Sequence, residues 1–350
     1  MNILQIGSPL KKIGGVSNHI EIIKKNKVSK KINYEHLYLT KNKSSNFDIR
    51  YNIFNLLTKI FKFKKICKKK NIDVIHAHTQ RAALLVVISK YLSLNKINII
   101  YTPHGFRHLQ KKNIFKIIHL IFEKIILNGI DHIFILTKNE LDFLKKIKFK
   151  NYTFLNNVID IKNYSGNKKL RKKNNKQKIV INIANMDKIK QPNLFIKIAK
   201  KVTKKNKNIV FYWIGKINSE YKNRVIKNKN IVFTGYLNRK NIATYLRSCD
   251  LFLLTSKFET FPYVFLEASF FKKKILVNKF YTKNKFYDFK NISTFKFNDS
   301  NDGFKKVLYH LYKKNNKNSN SKLNTKYINL KKFIFIIENQ YLSFRKTKVI

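Results

Sequence analysis

A chain of 350 residues, 44% hydrophobic and 14% aromatic, is too long for one small domain and too apolar for global disorder. It carries 75 Lys and Arg against 18 Asp and Glu, a formal charge of +57. Such a charge attracts phosphate backbones, but only eight of the basic residues are Arg, and the excess of Lys, Asn and Ile runs along the whole chain. Readers of nucleic acid gather Arg at base edges and put their charge on one face or tail, so no nucleic-acid partner is expected. An anionic membrane surface is a second partner for basic segments, worth about 1 kcal/mol per well-placed Lys or Arg. Cys67 and Cys249 fit no metal or paired-thiol spacing and read as small apolar fillers in a reducing compartment. The first residues lack the signal-peptide pattern, and no apolar stretch reaches the length of a membrane span. The expected location is the cytoplasm, with peripheral attachment to the inner face of the cytoplasmic membrane.

Short apolar runs alternate with longer amphipathic ones, the pattern of a parallel sheet with crossover helices. Ile3 to Ile6, Asp73 to His76, Ile97 to Tyr101 and His132 to Leu136 read as strands. Between them Ser17 to Lys24, Ile53 to Lys70 and Ile114 to Leu127 have helical spacing. The polar stretch 165–178 reads as a linker after a first domain of residues 1–164. A second series follows over 179–325, with strands at Ile179 to Ile183, Ile209 to Ile214, Ile231 to Thr234 and Leu251 to Thr255, and helices near Pro192 to Val202, Lys240 to Arg247 and Pro262 to Phe271. The run Lys313 to Lys322 is of low complexity, and within 326–350 the segment Leu330 to Phe344 reads as a terminal helix.

Four groups of residues can carry chemistry. Gly14 and Gly15 follow the first strand and precede a helix, where paired glycines let the backbone approach a ligand and Ser17 can cap the helix. The spacing is not that of a dinucleotide fingerprint. His76, His78 and His104 fall at strand ends, where open α/β sheets bind ligands. His76 and His78 read equally well as polar strand-end residues, whereas Pro103 and Gly105 on either side of His104 set an irregular turn that presents its imidazole. Asn185 to Pro192 is a polar loop between strand and helix, in which Lys188 or Lys190 could neutralise a diphosphate. The most specific group is Phe258-Glu259-Thr260-Phe261-Pro262 running on to Glu267. Pro262 is expected at the first helical position, so amides at the helix start can hold a phosphate while Glu259 and Glu267 accept hydrogen bonds from hydroxyls.

These residues resemble the retaining GT-B glycosyltransferases of group 1, or family 4. The likeness runs from Met1 to about Leu276 and is most specific at Glu259 and Glu267, two glutamates separated by seven residues. Gly14-Gly15-Val16, Asp73 to His76, Thr102 to Gly105, Asn157 to Asp160, Ile231 to Tyr236 and Ser248 to Leu251 keep the family's order. The resemblance implies an α/β fold of GT-B type, two Rossmann-like domains facing each other across a cleft, with the donor in the C-terminal one and the last helix crossing back. It implies that Glu267 holds the donor ribose, Glu259 contacts the donor sugar, Lys190 meets the diphosphate, His104 lies near the transferred sugar and Gly15 lets its loop close over the phosphates. Asn185 stands where an arginine is usual, Val158 follows Asn157 where glycine is usual, and Asn278-Lys279-Phe280 replaces paired glycines. The expected activity is retaining transfer of a hexosyl or N-acetylhexosaminyl group from a nucleotide sugar to a hydroxyl of a glycan or lipid-linked acceptor, in cell-surface polysaccharide or lipopolysaccharide assembly. No metal and no cofactor is expected. A non-catalytic binder of nucleotide sugar or glycan on the same fold stands as the alternative, with a nucleic-acid-binding protein behind it. Ile53 to Lys70, basic and amphipathic, is the segment expected either to touch an anionic membrane or to serve as a core helix.

Overall fold

Strands that are buried on both faces read as continuous apolar runs and pair in parallel only through crossover connections. In the computed structural model the chain forms two such sheets; the residues described are 1–8, 14–38, 56–93, 97–110, 113–170, 172, 174, 176–224, 228–279, 292–313 and 329–346. The low-complexity run after Lys313, and Phe54 at the start of the basic segment, lie outside them. Two units divide the chain, Met1–Val158 with Asn329–Ile350, and Ile159–Ile328.

The first unit runs β1 Asn2–Gly7, α1 Gly15–Lys25, β2 Asn33–Tyr38, α2 Leu56–Lys69, β3 Val74–Ala77, α3 Gln80–Ser93, β4 Asn98–Tyr101, α4 Asn113–Gly129, β5 His132–Ile135, α5 Lys138–Lys146 and β6 Tyr152–Phe154. The sheet order is β2-β1-β3-β4-β5-β6, every pair parallel. From β1 the chain builds outward to β2, then returns to place β3 on the other side. The crevice that opens at such a reversal is where open α/β sheets take ligands.

Local chemistry explains several helix ends. α1 begins at Gly15 with Gly14 as its N-cap and no side-chain cap bond, so Ser17 sits buried in the first turn instead of capping it. Thr137 caps α5 by accepting from Glu140 N at 3.2 Å, the Thr-x-x-Glu arrangement of a capping box. α2 turns Ile60, Phe63 and Cys67 into the core and leaves Phe61 exposed, so its apolar side serves packing. α4 presses against α3 closely enough that a Cβ on Gly129 would come within 2.4 Å of Val87 Cγ1.

The second unit repeats the plan: β7 Lys178–Ile183, α6 Pro192–Lys205, β8 Ile209–Ile214, β9 Ile231–Gly235, α7 Arg239–Ser248, β10 Leu251–Leu254, α8 Tyr263–Phe270, β11 Lys274–Asn278, β12 Ile292–Phe295 and α9 Ser300–Tyr312. Its order is β12-β11-β10-β7-β8-β9, again all parallel, and reverses between β7 and β10. One face of this sheet packs under α6 and α9 around Trp213, Phe195 and Phe211; the other packs around Phe252 and Phe265. The unit starts ahead of the polar stretch 165–178. Arg247 Nη2 donates to the Tyr164 carbonyl, and Leu170 N donates to Ser248 Oγ at 2.7 Å, so these residues are tied to α7.

α10, Leu330–Lys346, belongs to the first unit, where it buries Phe333, Ile334, Ile337 and Tyr341. Its Glu338, only 3% exposed, accepts from Val28 N at 3.1 Å, Ser29 N at 2.7 Å and the Tyr34 hydroxyl at 3.2 Å. Glu338→Ala strands three donors, each worth roughly 1–3 kcal/mol when left unmade. The expected result is a melting transition lowered by several degrees against the wild type, read by circular dichroism. An unchanged transition would show that water replaces the carboxylate without loss.

Candidate functional site

Residues within β1 and β3 and just after β3 and β4, with one each from α1 and α10, gather at the reversal of the first sheet. His76 lies within β3, and His78 follows one residue beyond its end. His78 Nε2 donates to Gln5 Oε1 at 2.5 Å, while Gln5 Nε2 donates to the Tyr341 hydroxyl at 2.8 Å. That hydroxyl lies 2.6 Å from His76 Nδ1, and His76 Nε2 lies 2.7 Å from Thr102 Oγ1. His19, on the second turn of α1, bonds Asn157 Oδ1 through Nδ1 at 3.2 Å. The chain thereby fixes the orientation of each ring through a second group, the usual way of defining an imidazole's tautomer.

His104 occupies the turn after β4 with φ of 52°, followed by Gly105 at 98°. A non-glycine residue there is strained and must be held. Glu140 supplies the hold: its carboxylate accepts from Gly105 N at 2.7 Å and from Leu136 N at 2.8 Å. The cap of α5 thus also anchors the loop that carries His104. Complete burial drives the Glu140 carboxyl up to about 7 against the pull of those amides. His104 Nε2 lies 3.4 Å from His78 Nδ1, and its ring stands edge-on to His19 at a centroid distance of 4.8 Å. Ring nitrogens of His19, His78 and His104 all fall within 4.8 Å of one another, so this trio is a group that could hold a metal ion.

Burial keeps these imidazoles neutral. It pulls His19 down to about 4, offset in part by the bond to Asn157. His76, His78 and His104 are held well below the usual value by burial first and by neighbouring rings second.

The second unit brings its residues together at its own reversal, between β7 and β10. Thr255 Oγ1 donates to Lys190 O at 2.9 Å, and Lys257 N donates to Ile189 O at 2.7 Å. Asn278 Nδ2 adds bonds to Gln191 Oε1 at 3.0 Å and Thr255 O at 3.3 Å. Stitched this way, the two loops place Lys190 Nζ 2.5 Å from Glu259 Oε1, an oxygen that also accepts from Ser256 Oγ at 2.8 Å. Lys188 is exposed on the same loop. Thr260 is half-buried, Phe261 is buried and Pro262 is the N-cap of α8, one position earlier than the first helical residue expected for it. Glu267 lies buried inside α8 and accepts from the Tyr164 hydroxyl at 2.5 Å. Its carboxyl is raised by burial, with Tyr164 and then Arg239 pulling it back. Asn185 turns its Oδ1 to Lys216 N at 3.2 Å.

The sequence motifs pointed to most of these positions. Glu140, His19, Gln5 and Tyr341 were not among them, and Asn157, part of an ordered motif, carried no sign of its bond to His19. The Thr-x-x-Glu spacing marks Glu140 as a cap, but nothing local in the sequence joins it to a loop 35 residues away.

Two doubly wound parallel units, each with polar side chains gathered at its reversal, are the two halves of a GT-B fold. The chain belongs to the group 1 glycosyltransferases: residues 166–323 match the family described as Glycosyl transferases group 1, and residues 29–163 match Glycosyltransferase Family 4. A 41.2 kDa protein from the cps region of Klebsiella pneumoniae, itself uncharacterised, is 24% identical over 305 residues, covering 79% of this chain and 81% of that one. Among solved structures, sucrose-phosphate synthase from Thermosynechococcus elongatus superposes with a TM-score of 0.74 at 12% identity, covering 99% of both chains. Anabaena HepE in complex with UDP and glucose gives 0.72 at 13% identity, covering 97% of this chain and 99% of that one. The lipopolysaccharide outer core galactosyltransferase WaaB gives 0.67 at 15%, covering 98% and 99%. At such identities the structures speak for the fold.

The histidine cluster makes a pH prediction with a definite sign. For His19 a folded value near 4 against about 6.5 unfolded means the unfolded chain binds the extra proton, so its contribution to stability is full above about pH 6.5 and is lost as pH falls toward 4; His76, lowered by burial, acts with the same sign. Glu140, raised when folded, acts in the opposite direction, its contribution present below about 4.5 and lost as pH rises through about 7. Melting temperature measured across that range for wild type and His76→Gln isolates the histidines. A shallower fall on acidification is expected in the variant, and an identical slope would show that His76 titrates alike in the folded and unfolded states.

Proposed function

We propose that the chain transfers a hexosyl or N-acetylhexosaminyl group from a nucleoside-diphosphate sugar to a hydroxyl of a glycan or glycolipid, with retention of configuration, in cell-surface polysaccharide or lipopolysaccharide assembly. The observation that carries this reading is the pairing of Lys190 with Glu259 at the strand-order reversal of the second unit. The family membership, the UDP and glucose of the HepE structure, and the cps-region origin of the Klebsiella relative support it.

The barrier to glycosyl transfer lies in parting the sugar from its diphosphate, so preorganised positive charge at the leaving group is the main catalytic device. Lys190 has that role in this reading. In the structure its charge is compensated by Glu259, so an entering diphosphate competes with the carboxylate, and the sugar hydroxyls occupy the carboxylate in exchange. Glu267 gives one oxygen to Tyr164, and the donor ribose takes the other. His104, neutral and held by Glu140 through its turn, serves as a hydrogen-bond partner for the transferred sugar. Gly14 and Gly15, at the start of α1, are assigned in this reading to backbone approach to the donor phosphates. The chemistry described uses no metal or cofactor.

Lys190→Ala is expected to lower the initial transfer rate by about 10²-fold, the scale of losing a preorganised charge-stabilising group. Lys188→Ala should change it little, and Asn185→Arg should leave it intact or raise it. A panel of nucleotide sugars scored by transfer to a lipid-linked or glycan acceptor supplies the assay, with thermal melts to check folding. Wild-type transfer by Lys190→Ala would show that the lysine is only a surface charge.

Glu267→Gln should weaken binding of the free nucleoside diphosphate, whereas Glu259→Gln should chiefly slow transfer. The loss is on the order of 1.5–3 kcal/mol in each case, that of a hydrogen bond to a charged group. Calorimetry with the nucleoside diphosphate alone reads the ribose contribution. Equal loss of affinity in both variants would end the division of roles.

A further inference from the structure

α4 is apolar on both sides. Inward it buries Glu123, Ile126, Leu127 and Gly129 and seats against α3. Outward it shows Ile114, Phe115, Ile117, Ile118, Ile121 and Ile125, each between 39% and 63% exposed. Ile114, Ile118, Ile121 and Ile125 recur at i, i+4, i+7 and i+11, the spacing of one continuous helical stripe. Solvent-facing isoleucines at that density are not surface noise, since an apolar patch of this extent on a folded protein marks a contact face.

The patch reaches beyond the helix at both ends. Leu109, 39% exposed, precedes it on the short 3-10 helix Arg107–Gln110, which packs against α4. Tyr91, 62% exposed at the end of α3, donates its hydroxyl to Asn128 O at 3.3 Å. Charge on α4 is one-sided as well. Its exposed charged residues are Lys116 and Lys124, while its acid, Glu123, points inward and takes Gln80 Nε2 at 2.8 Å. At 17 residues, about 25 Å long, the helix lies along a surface, and no described helix is long and apolar enough to cross a membrane.

We propose that the outward face of α4 is a docking surface for an anionic lipid bilayer, with its isoleucines and Phe115 entering the headgroup boundary and its lysines meeting anionic headgroups. Charge decides between this occupant and a second copy of the chain. Two molecules of formal charge +57 repel when pressed face to face, whereas the same charge draws the molecule to an anionic sheet. Apolar insertion and electrostatic attraction then add, as they do for interfacial helices generally. α2, the basic segment singled out in the sequence, does not compete for this role, because its Ile60, Phe63 and Cys67 are core.

The proposal stands apart from the sugar-transfer reading, and binding can be read without any donor, so the failure of one leaves the other in place. Co-sedimentation uses vesicles of equal parts phosphatidylglycerol and phosphatidylcholine beside vesicles of phosphatidylcholine alone. The wild type should pellet with the first and much less with the second, and less again at about 0.5 M salt, where surface charge is screened. Ile118→Ser/Ile121→Ser should lower the partition coefficient at least about tenfold with an unchanged melting temperature, while Phe61→Ser on α2 should not. Hydrogen exchange of the wild type supplies a reading that depends on no variant: amides of residues 114–125 should gain protection when the anionic vesicles are added. Equal partition of the double variant, loss of binding on Phe61→Ser alone, or absence of that protection would overturn the proposal. So would a wild-type dimer that the double variant dissolves and that ignores vesicles, which would make the face a contact between copies.

Discussion

Much of the molecule follows from one constraint, the reversal of strand order in an all-parallel sheet. Parallel strands need crossovers, and a sheet that grows first to one side of its opening strand and then to the other leaves a gap between two loops at the seam. In the first unit the seam lies between β1 and β3, and His78 stands beside it. In the second it lies between β7 and β10, whose loops carry Lys190 and Glu259. Neither pair is adjacent in sequence. Lys190 and Glu259 are 69 residues apart, and only the return of the chain to the centre of the sheet makes them neighbours.

The seams are held open by polar stitching in place of apolar packing. Thr255, Lys257 and Asn278 bind the backbone and side chains of the β7 loop, so its position depends on directed hydrogen bonds. On the other unit Glu140 performs the same service for the turn of His104. Buried polar networks of this kind fix geometry well when every member is satisfied and cost heavily when one is lost. The Lys190–Glu259 pair adds balance to this stiffness, since each of two opposite, partly buried charges at 2.5 Å compensates the other.

Sequence pattern captured elements whose burial is simple. β1, β3, β4, β5, β7, β8, β9 and β10 were evident as apolar runs, and α1, α2, α4, α6, α7, α8 and α10 as helical segments. α3 escaped because Ala82, Ala83, Leu85, Val86 and Val87 are all buried, so no polar face marks a helical period. β2 escaped because five of its six residues are not fully buried, and Asn33, Glu35 and His36 interrupt the apolar run. At the site, Glu259, Glu267, Lys190 and His104 stood out through their flanking residues. Tyr164, which holds Glu267, and Tyr341, which holds His76, did not. A tyrosine announces nothing about its partner when 103 or 265 residues separate them.

The bond from Gln5 to Tyr341 spans 336 positions. Synthesis proceeds from one end, so β1 leaves the ribosome long before the residue that completes its polar network exists. The second unit, continuous from Ile159 to Ile328, is whole first and can fold while the opening sheet still lacks α10. During that interval the groove that Phe333, Ile334, Ile337 and Tyr341 will fill lies bare. A strand made before the whole second unit is therefore completed after it.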